Sequence, residues 1–416
     1  MEINSVARHL SAVSVLVSAF LVMIGVGAIV ALLPQRVLDL SGSLTSVGYL
    51  AAAYAVSNIL LQIPIGRLAD RFGFKPFLVA GYLMCAATGL LYYFTETAAL
   101  IFAGRMLQGL GEVPVLALAP ALLAIQFPLA KGRWIGLYNA SLHGGLTAGS
   151  ILGVVTHRVW ADREAFLLFA GLSLLSGIIV AVWTRTPAKV PEQALIRFHW
   201  RDIAAVFRKP ANRAVLSGIV LYGAGYGIFI TLVPAFLILR EAGRFSAGTI
   251  FTLFFVALSL AQLTAGPFGD RRGRKASLYG GLAAASAGFA SIFFCQPPWL
   301  YGPLALGGFG LGVFCIAAMA YLHERVPDTL KGTLSGTIYF AWGAGYFLGP
   351  LVLAAAAGRI GLPSGFLILA GCFMLQALVL LKRVDPKPPA QALRQKIQDP
   401  IVPAQSRSVP AAREPM

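Results

Sequence analysis

Gly66-Arg67-Leu68-Ala69-Asp70-Arg71-Phe72-Gly73-Phe74-Lys75 returns 200 residues later as Gly266-Pro267-Phe268-Gly269-Asp270-Arg271-Arg272-Gly273-Arg274-Lys275. The same offset holds on either side of the stretch. Gly25, Gly27 and Pro34 recur as Gly225, Gly227 and Pro234, and Ser46 and Gly48 as Ser246 and Gly248. Further on, Lys131-Gly132 matches Lys331-Gly332, and Gly136, Gly145 and Gly149 match Gly336, Gly345 and Gly349. One such match could be chance, but a register kept across both halves is a duplication.

The composition says where the duplicated unit lives. Of 416 residues, 58% are hydrophobic and only 12% charged, and the charges cluster and leave long apolar runs between them. Twelve runs long enough to span a bilayer begin near Ala12, Thr45, Phe77, Ala98, Trp134, Ala165, Ala214, Ser246, Ala276, Trp299, Thr333 and Leu362. The first, Ala12 to Leu33 behind Arg8 and His9, is too long for a signal-peptide core and lacks a clear small-residue cleavage site, so it reads as a retained span. The expected fold is an all-α membrane protein of twelve transmembrane helices in two pseudo-symmetric six-helix halves. The halves are residues 1–184 and 213–384, joined by a basic, proline-containing cytoplasmic linker over 185–212. A parallel repeat of this kind relates the halves by an axis normal to the membrane and puts the substrate path between them. The tail, 385–416, is rich in proline and poor in large apolar residues, so disorder is expected there.

A formal net charge of +17 invites a nucleic-acid reading. Its distribution argues for topology instead. With the amino terminus inside, the inner loops collect Arg67, Arg71, Lys75, Lys131, Arg133, Arg271, Arg272, Arg274, Lys275, Arg325 and Lys331, while the outer loops hold Arg36, Arg158, Arg163, Arg240, Arg244 and Arg359. This positive-inside bias puts both termini in the cytoplasm. Cys85, Cys295, Cys315 and Cys372 all fall in apolar runs and read as packing residues. No outer loop carries a glycosylation sequon, which favours a bacterial cytoplasmic (inner) membrane or a membrane derived from one.

With these motifs in view, the chain resembles the major facilitator superfamily over all but its two tails. The Gly66 to Lys75 stretch is similar to that family's inner-loop motif, with Phe74 where a basic residue is usual. Arg105-x-x-Gln108-Gly109-x-Gly111 is similar to the fourth-helix motif whose arginine is associated with proton coupling in exporters of the family. The resemblance implies that Asp70 holds the start of the eleventh span near Thr333 and Asp270 the start of the fifth near Arg133, latching the cytoplasmic side. Gly66, Arg71, Gly73, Lys75, Gly266, Arg271 and Gly273 complete that gate motif.

The candidate transport site is the fourth span. Arg105, Gln108 and Glu112 are spaced i, i+3, i+7 and share a helix face. A charged residue at the middle of a spanning helix costs about 2.5 to 3.5 kcal/mol to insert, so such residues usually face an interior or a wet cavity and carry a function. The repeat breaks at this point, with Ala305 and Gly312 where Arg105 and Glu112 would recur. Glu112 is the expected proton carrier, with the counter-charge for a cationic substrate as the alternative, and Arg105 tunes it or contacts an anionic substrate group; a structural tie that fixes helix packing is the plainer reading of both. Pro114 deprives the carbonyl of Leu110 of its helical donor and should loosen the helix beside the carboxylate.

Asn139 and His143 lie one turn apart on the fifth span, and the histidine is either a second candidate proton site or a hydrogen-bonded packing residue. The same span carries Gly136, Gly145, Gly149, Ser150 and Gly153, similar to the family's antiporter motif but with Ser150 in place of proline; close helix packing explains the glycines equally well. Tyr339, Trp342 and Tyr346 share one face of the eleventh span and Tyr222 and Tyr226 one face of the seventh, either as an aromatic wall or as packing. Tyr54, Asn58 and Gln62 form a polar face on the second span, which lines the cavity or bonds across helices.

The class expected is a secondary active carrier moving a small organic solute with protons by alternating access. An uncoupled facilitator and a transporter-like sensor or scaffold are the alternatives. There is no phosphate-cradling loop for direct use of ATP, and no span carries a nucleophile with its base or a His-x-x-x-His spacing. Neither enzyme chemistry, cofactor nor metal is therefore expected. The expected partners are solute, protons and lipid, with a monomer as the working unit.

Overall fold

The computed structural model of the chain describes residues 5–30, 32–41, 44–156, 163–185, 200–239, 243–296 and 299–385. Most of the linker, the tail beyond Asp385, and Arg158 and Arg240 lie outside the described residues.

Among the described residues the secondary structure is helical, with no strand. The order is α1 (Ser5–Val30), α2 (Leu32–Ser41), α3 (Leu44–Phe72), α4 (Phe74–Phe94), α5 (Ala98–Val113), a π turn (Pro114–Leu118), α6 (Ala119–Gln126), α7 (Lys131–Thr156) and α8 (Glu164–Trp183). It continues through α9 (Trp200–Arg208), α10 (Pro210–Leu239), α11 (Gly243–Arg272), α12 (Lys275–Phe294), α13 (Tyr301–His323), α14 (Lys331–Ile360) and α15 (Leu362–Arg383). Ten helical stretches are long and apolar enough to cross a membrane, one of them α5 and α6 joined through the π turn. Helices α3 and α7, at 29 and 26 residues, also have the length, so a helix covers each of the twelve expected spans.

Large apolar side chains such as Leu60, Leu260, Val352 and Leu375 point outward and are exposed. In a bilayer they meet lipid, which removes the need for a polar exterior. The buried side chains form two clusters. One is built from α1 to α8, and the other from α10 to α15 with Ala124 and Ile135 added; Tyr339 packs against both.

The repeat is visible atom by atom. Gly73 and Gly273 take φ of 93° and 87°, in the left-handed region where a side chain is strained, and so turn α3 into α4 and α11 into α12 alike. Each closes the preceding helix with its N–H, Gly73 to the Ala69 carbonyl at 2.8 Å and Gly273 to the Gly269 carbonyl at 3.0 Å. The small residues bring the backbones together. A Cβ at Gly136 would strike the Gln262 carbonyl, and one at Gly336 the Gln62 carbonyl. Gly145 and Gly149 pack in the same way on Phe20 and Ile24 of α1, and Gly345 and Gly349 on Val220 and Ala224 of α10. Close packing thus occupies Gly136, Gly145 and Gly149 of the antiporter-like pattern and their counterparts in the second repeat, and Ser150 and Gly153 follow on the same helix.

Candidate functional site

Helix α5 holds the site because its polar face is buried against α3 and α4 rather than against lipid. Gln108 is fully buried and Glu112 is 3% exposed. Arg105 and Glu112 do not pair directly; Gln108 stands between them. The Arg105 Nη1 donates to Gln108 Oε1 at 2.9 Å, and the Tyr92 hydroxyl on α4 donates to the same oxygen at 3.1 Å. Two donors on Oε1 fix the amide orientation, so Gln108 Nε2 donates onward to Glu112 Oε1 at 2.8 Å. From α3, the Tyr54 hydroxyl donates to Glu112 Oε2 at 2.5 Å, and the Tyr54 ring lies 4.9 Å from the Arg105 guanidinium carbon. Both carboxylate oxygens therefore accept from protein donors, which is how a buried carboxylate is kept.

The break in the helix falls where Pro114 requires it. Residues Pro114–Leu118 form a π turn between α5 and α6, and the Tyr138 hydroxyl on α7 donates to the Val115 carbonyl in that turn. Such wide turns leave backbone groups in need of partners and recur at functional sites.

The remaining candidates sort into two groups. Asn58 and Gln62 are buried and tie α3 to α5, with Asn58 Nδ2 donating to the Gly109 carbonyl at 3.2 Å and Gln62 Nε2 to Asn58 Oδ1 at 3.0 Å. His143 and Asn139 make different bonds from the Glu112 network. His143 Nδ1 is 2.8 Å from the Asn139 carbonyl, and Asn139 Nδ2 donates to the Ile135 carbonyl at 2.9 Å. The His143 ring meets Tyr226 edge-on at 6.1 Å, which joins it to the aromatic residues. Among those, Trp342 and Tyr346 are stacked at 5.2 Å, Tyr226 stands edge-on to Trp342 at 5.8 Å, and Tyr222 and Tyr339 flank the group.

At one end of the bundle both motif carboxylates cap a helix across the pseudo-symmetry. Asp70 accepts from the Gly332 and Thr333 N–H groups, each at 2.7 Å, and from the Thr333 hydroxyl at 2.6 Å. Asp270 accepts from the Gly132 N–H at 3.0 Å and the Arg133 N–H at 2.8 Å. A carboxylate at the positive end of a helix is favourable on dipole grounds as well. Gly66 and Gly266 permit the approach, since a Cβ on either would meet the carbonyl of Gly332 or Gly132. Arg71 lies over the Phe72 ring, and Arg271 lies in a shallow outer cleft with Phe268 and Arg272.

Several participants escaped the reading of the sequence. Arg274, 4% exposed, pairs with Asp270 and with Glu324, whose Oε1 lies 3.0 Å from Nη2. At the matching position Phe74 is buried in the apolar cluster, so the first repeat has no counterpart of Arg274 there. Buried Lys331 pairs with Asp328, and buried His323 bonds Ser335 at 3.0 Å. On the turn entering α7, Lys131 is nearly buried; burial first, then the Lys331 charge, pushes its ammonium below the ordinary lysine range. Gln262 is fully buried, with its backbone carbonyl against Gly136.

A helical bundle with paired repeats, a lipid-facing apolar exterior and a buried polar site between helices defines a multi-pass membrane transporter rather than an enzyme. Comparison with known proteins agrees. The profile of the Major Facilitator Superfamily matches residues 15–243 and again 215–413, and the chain belongs to that family. It is 26% identical over 353 residues to the class C tetracycline resistance protein of Escherichia coli, covering 80% of this chain and 86% of that one. The fold is similar to that of the human organic anion transporter MFSD10, with a TM-score of 0.76 at 16% identity over 90% of this chain and 99% of that one. It is also similar to that of the Escherichia coli fucose:proton symporter FucP, with a TM-score of 0.73 at 15% identity over 89% and 98% of the two chains.

Proposed function

We propose that this transporter is a proton-coupled carrier of a small organic solute that works by alternating access, with Glu112 as the proton carrier. The observation that carries the reading is the pair of donors on the Glu112 oxygens. Gln108 presents an NH₂ to Oε1 and has no way to accept there, whereas the Tyr54 hydroxyl facing Oε2 can either donate or accept. A proton arriving on Oε2 turns that bond round: the carboxylic acid donates and the Tyr54 oxygen accepts, freeing the phenol proton to point elsewhere. The site accommodates both protonation states by rotating one hydroxyl, without moving a helix. Arg105 balances the charged state through Gln108. The FucP neighbour, a proton symporter by its description, is consistent with coupling in this fold.

In this reading the two six-helix units rock about the site. The Asp70 and Asp270 caps, with Arg71, Lys75 and Arg271 nearby, latch one end shut; the concentration of basic residues around them supports a cytoplasmic position for that end, with both termini on the same side. The setting we propose is a bacterial cytoplasmic membrane, with the monomer as working unit because one chain carries both repeats.

The test is proton movement into liposomes carrying the purified protein, read with a trapped pH dye while a panel of solutes is added. A solute-dependent proton signal that Glu112→Gln abolishes is expected. Solute flux without proton movement, unchanged by Glu112→Gln, would replace the coupled carrier with a facilitator.

A further inference from the structure

We infer that the cleft on the outer face of α11 is a binding site for one anionic phospholipid, its phosphate held between the Arg271 and Arg272 guanidiniums and an acyl chain laid along the apolar face that leads away from them. The inference needs the membrane setting of the fold and nothing about what the carrier moves or what drives it.

The cleft has a volume of about 620 Å³ and is lined by Leu263, Thr264, Pro267, Phe268, Arg271 and Arg272. These positions are spaced i, i+1, i+4, i+5, i+8 and i+9, so they share one face of the helix. The face continues away from the arginines through Leu260 and Val256, exposed at 52% and 46%. Thr264 donates its hydroxyl to the Leu260 carbonyl of its own helix at 2.9 Å, so no free hydroxyl interrupts this wall. From Leu260 to Arg271 the helix rises about 16 Å. That is about half of a hydrocarbon core about 30 Å thick. The stripe is one leaflet deep, with its charges where a headgroup sits.

The charges at the mouth of the cleft are unspent. Arg271 and Arg272 are exposed, and among the described residues neither has a carboxylate partner. Asp270, next to them in the chain, is taken by the Gly132 and Arg133 N–H groups and by Arg274, and Glu324 also goes to Arg274. The Arg272 guanidinium carbon lies 5.2 Å from the centre of the Phe268 ring, which holds it against the apolar wall. Two adjacent guanidiniums with free N–H donors match the oxygens of a phosphate. A zwitterionic headgroup offers the same phosphate but brings a cation to a mouth that has no anion for it. A headgroup with net negative charge brings none.

The other repeat does not build this site. The positions matching Pro267 and Arg272 are Arg67 and Phe72, so the short residue and the adjacent pair of arginines are both absent there.

The experiment reads lipid preference at one position of the full chain. With the four native cysteines replaced, a fluorophore is placed on Leu260→Cys, and the protein is reconstituted in dioleoylphosphatidylcholine with rising fractions of brominated phosphatidylglycerol, whose bromines quench the label on contact. A second chain carries the label on Leu375→Cys of α15, a helix that also ends in a basic pair, Lys382 and Arg383. The anionic lipid is expected to be preferred about tenfold at Leu260→Cys and at most about twofold at Leu375→Cys. Arg271→Gln with Arg272→Gln should lower the preference at the first label to that at the second. Thr264→Phe, which fills the cleft and keeps both charges, should lower it about threefold. Equal preference at the two labels, or a preference unchanged by the arginine pair or by Thr264→Phe, would overturn the inference. So would recovery of fluorescence with millimolar inorganic phosphate, which would make the ligand a free anion and not a lipid.

Discussion

The Tyr54 hydroxyl donates to Glu112 Oε2 at 2.5 Å, joining α3 to the buried face of α5. Because that hydroxyl can turn while the Gln108 amide cannot, Tyr54→Phe should impair proton loading more than solute binding. Solute-driven proton flux is expected to fall about tenfold or more, equivalent to about 1.4 kcal/mol, while solute affinity stays within about threefold. Proton flux in liposomes and equilibrium binding on the same preparation check the split. Equal loss of both would mean that Tyr54 only packs.

Gln108 satisfies three neighbours at once, Tyr92, Arg105 and Glu112. Gln108→Leu takes a hydrogen-bond partner from the part-buried Arg105 and from the buried Glu112, and leaving a buried polar group without its partner costs about 1 to 3 kcal/mol, more when it is charged. A clear fall in the thermal unfolding midpoint is therefore expected, larger than for Glu112→Gln, which keeps a polar group in place. Adding Glu112→Leu to Gln108→Leu should cost less than the sum of the separate changes, because one of the stranded charges is gone. Thermal unfolding of the four proteins measures this coupling.

The duplicated latch is legible in the chain because a carboxylate between two conserved-spacing glycines appears twice at one offset, and Gly73 and Gly273 carry their positive φ wherever the turn sits. Pro114 likewise announces a break, found as the π turn. What the chain does not display is which helix lies beside which. Tyr92 reaches Gln108 only because α4 packs on α5, and Arg274 meets Glu324 only because the turn after α13, fifty residues on, is brought beside it. The polar face of Tyr54, Asn58 and Gln62 divides for the same reason: Asn58 bonds the α5 backbone while Tyr54 reaches the carboxylate.

Asp70 and Asp270 cap equivalent helices with different support. Asp70 holds two backbone N–H groups and the Thr333 hydroxyl, while Asp270 also pairs with Arg274. In Asp70→Asn the helix-end attraction is lost and one amide oxygen replaces two acceptors, so the closed end should open more often. In Asp270→Asn, Arg274 retains Glu324. Ser335 is fully buried just beyond the Asp70 cap and makes a reporter. With the four native cysteines replaced, a Ser335→Cys chain should react with maleimide about fivefold faster or more when Asp70→Asn is added, a shift of about 1 kcal/mol. An unchanged labelling rate would show that the cap is structural and no gate.

The same reporter reads the charge of Lys131. Burial and the Lys331 ammonium hold its pKa in the closed state below the ordinary 10.5, so Lys131 itself holds its proton less tightly in the closed end than in an open one where it meets water. By linkage, the contribution of Lys131 favours opening in acid and closure in alkali, over the range from its lowered value up to about 10.5. Labelling of Ser335→Cys, corrected for the thiol's own ionisation with a free-thiol standard, should slow as pH rises through that range. Lys131→Met should remove this part of the dependence and leave the end more closed at every pH.

Two glycines of one motif should fail in different ways. Gly73 takes φ of 93° and has open space around the position of a Cβ, so Gly73→Ala meets strain in the turn alone, about 1 to 2 kcal/mol. Gly66 lies on a helix whose backbone touches Gly332, and a Cβ there would run into the Gly332 carbonyl. That contact crosses between the repeats and adjoins the Asp70 cap, so Gly66→Ala should hold α3 away from α14 and disrupt closure of that end. Thermal unfolding and Ser335→Cys labelling separate the two effects. Gly73→Ala should lower the unfolding midpoint with labelling nearly unchanged, and Gly66→Ala should raise labelling sharply. Similar labelling for both would mean that the glycine contact does not set how closely the helices meet.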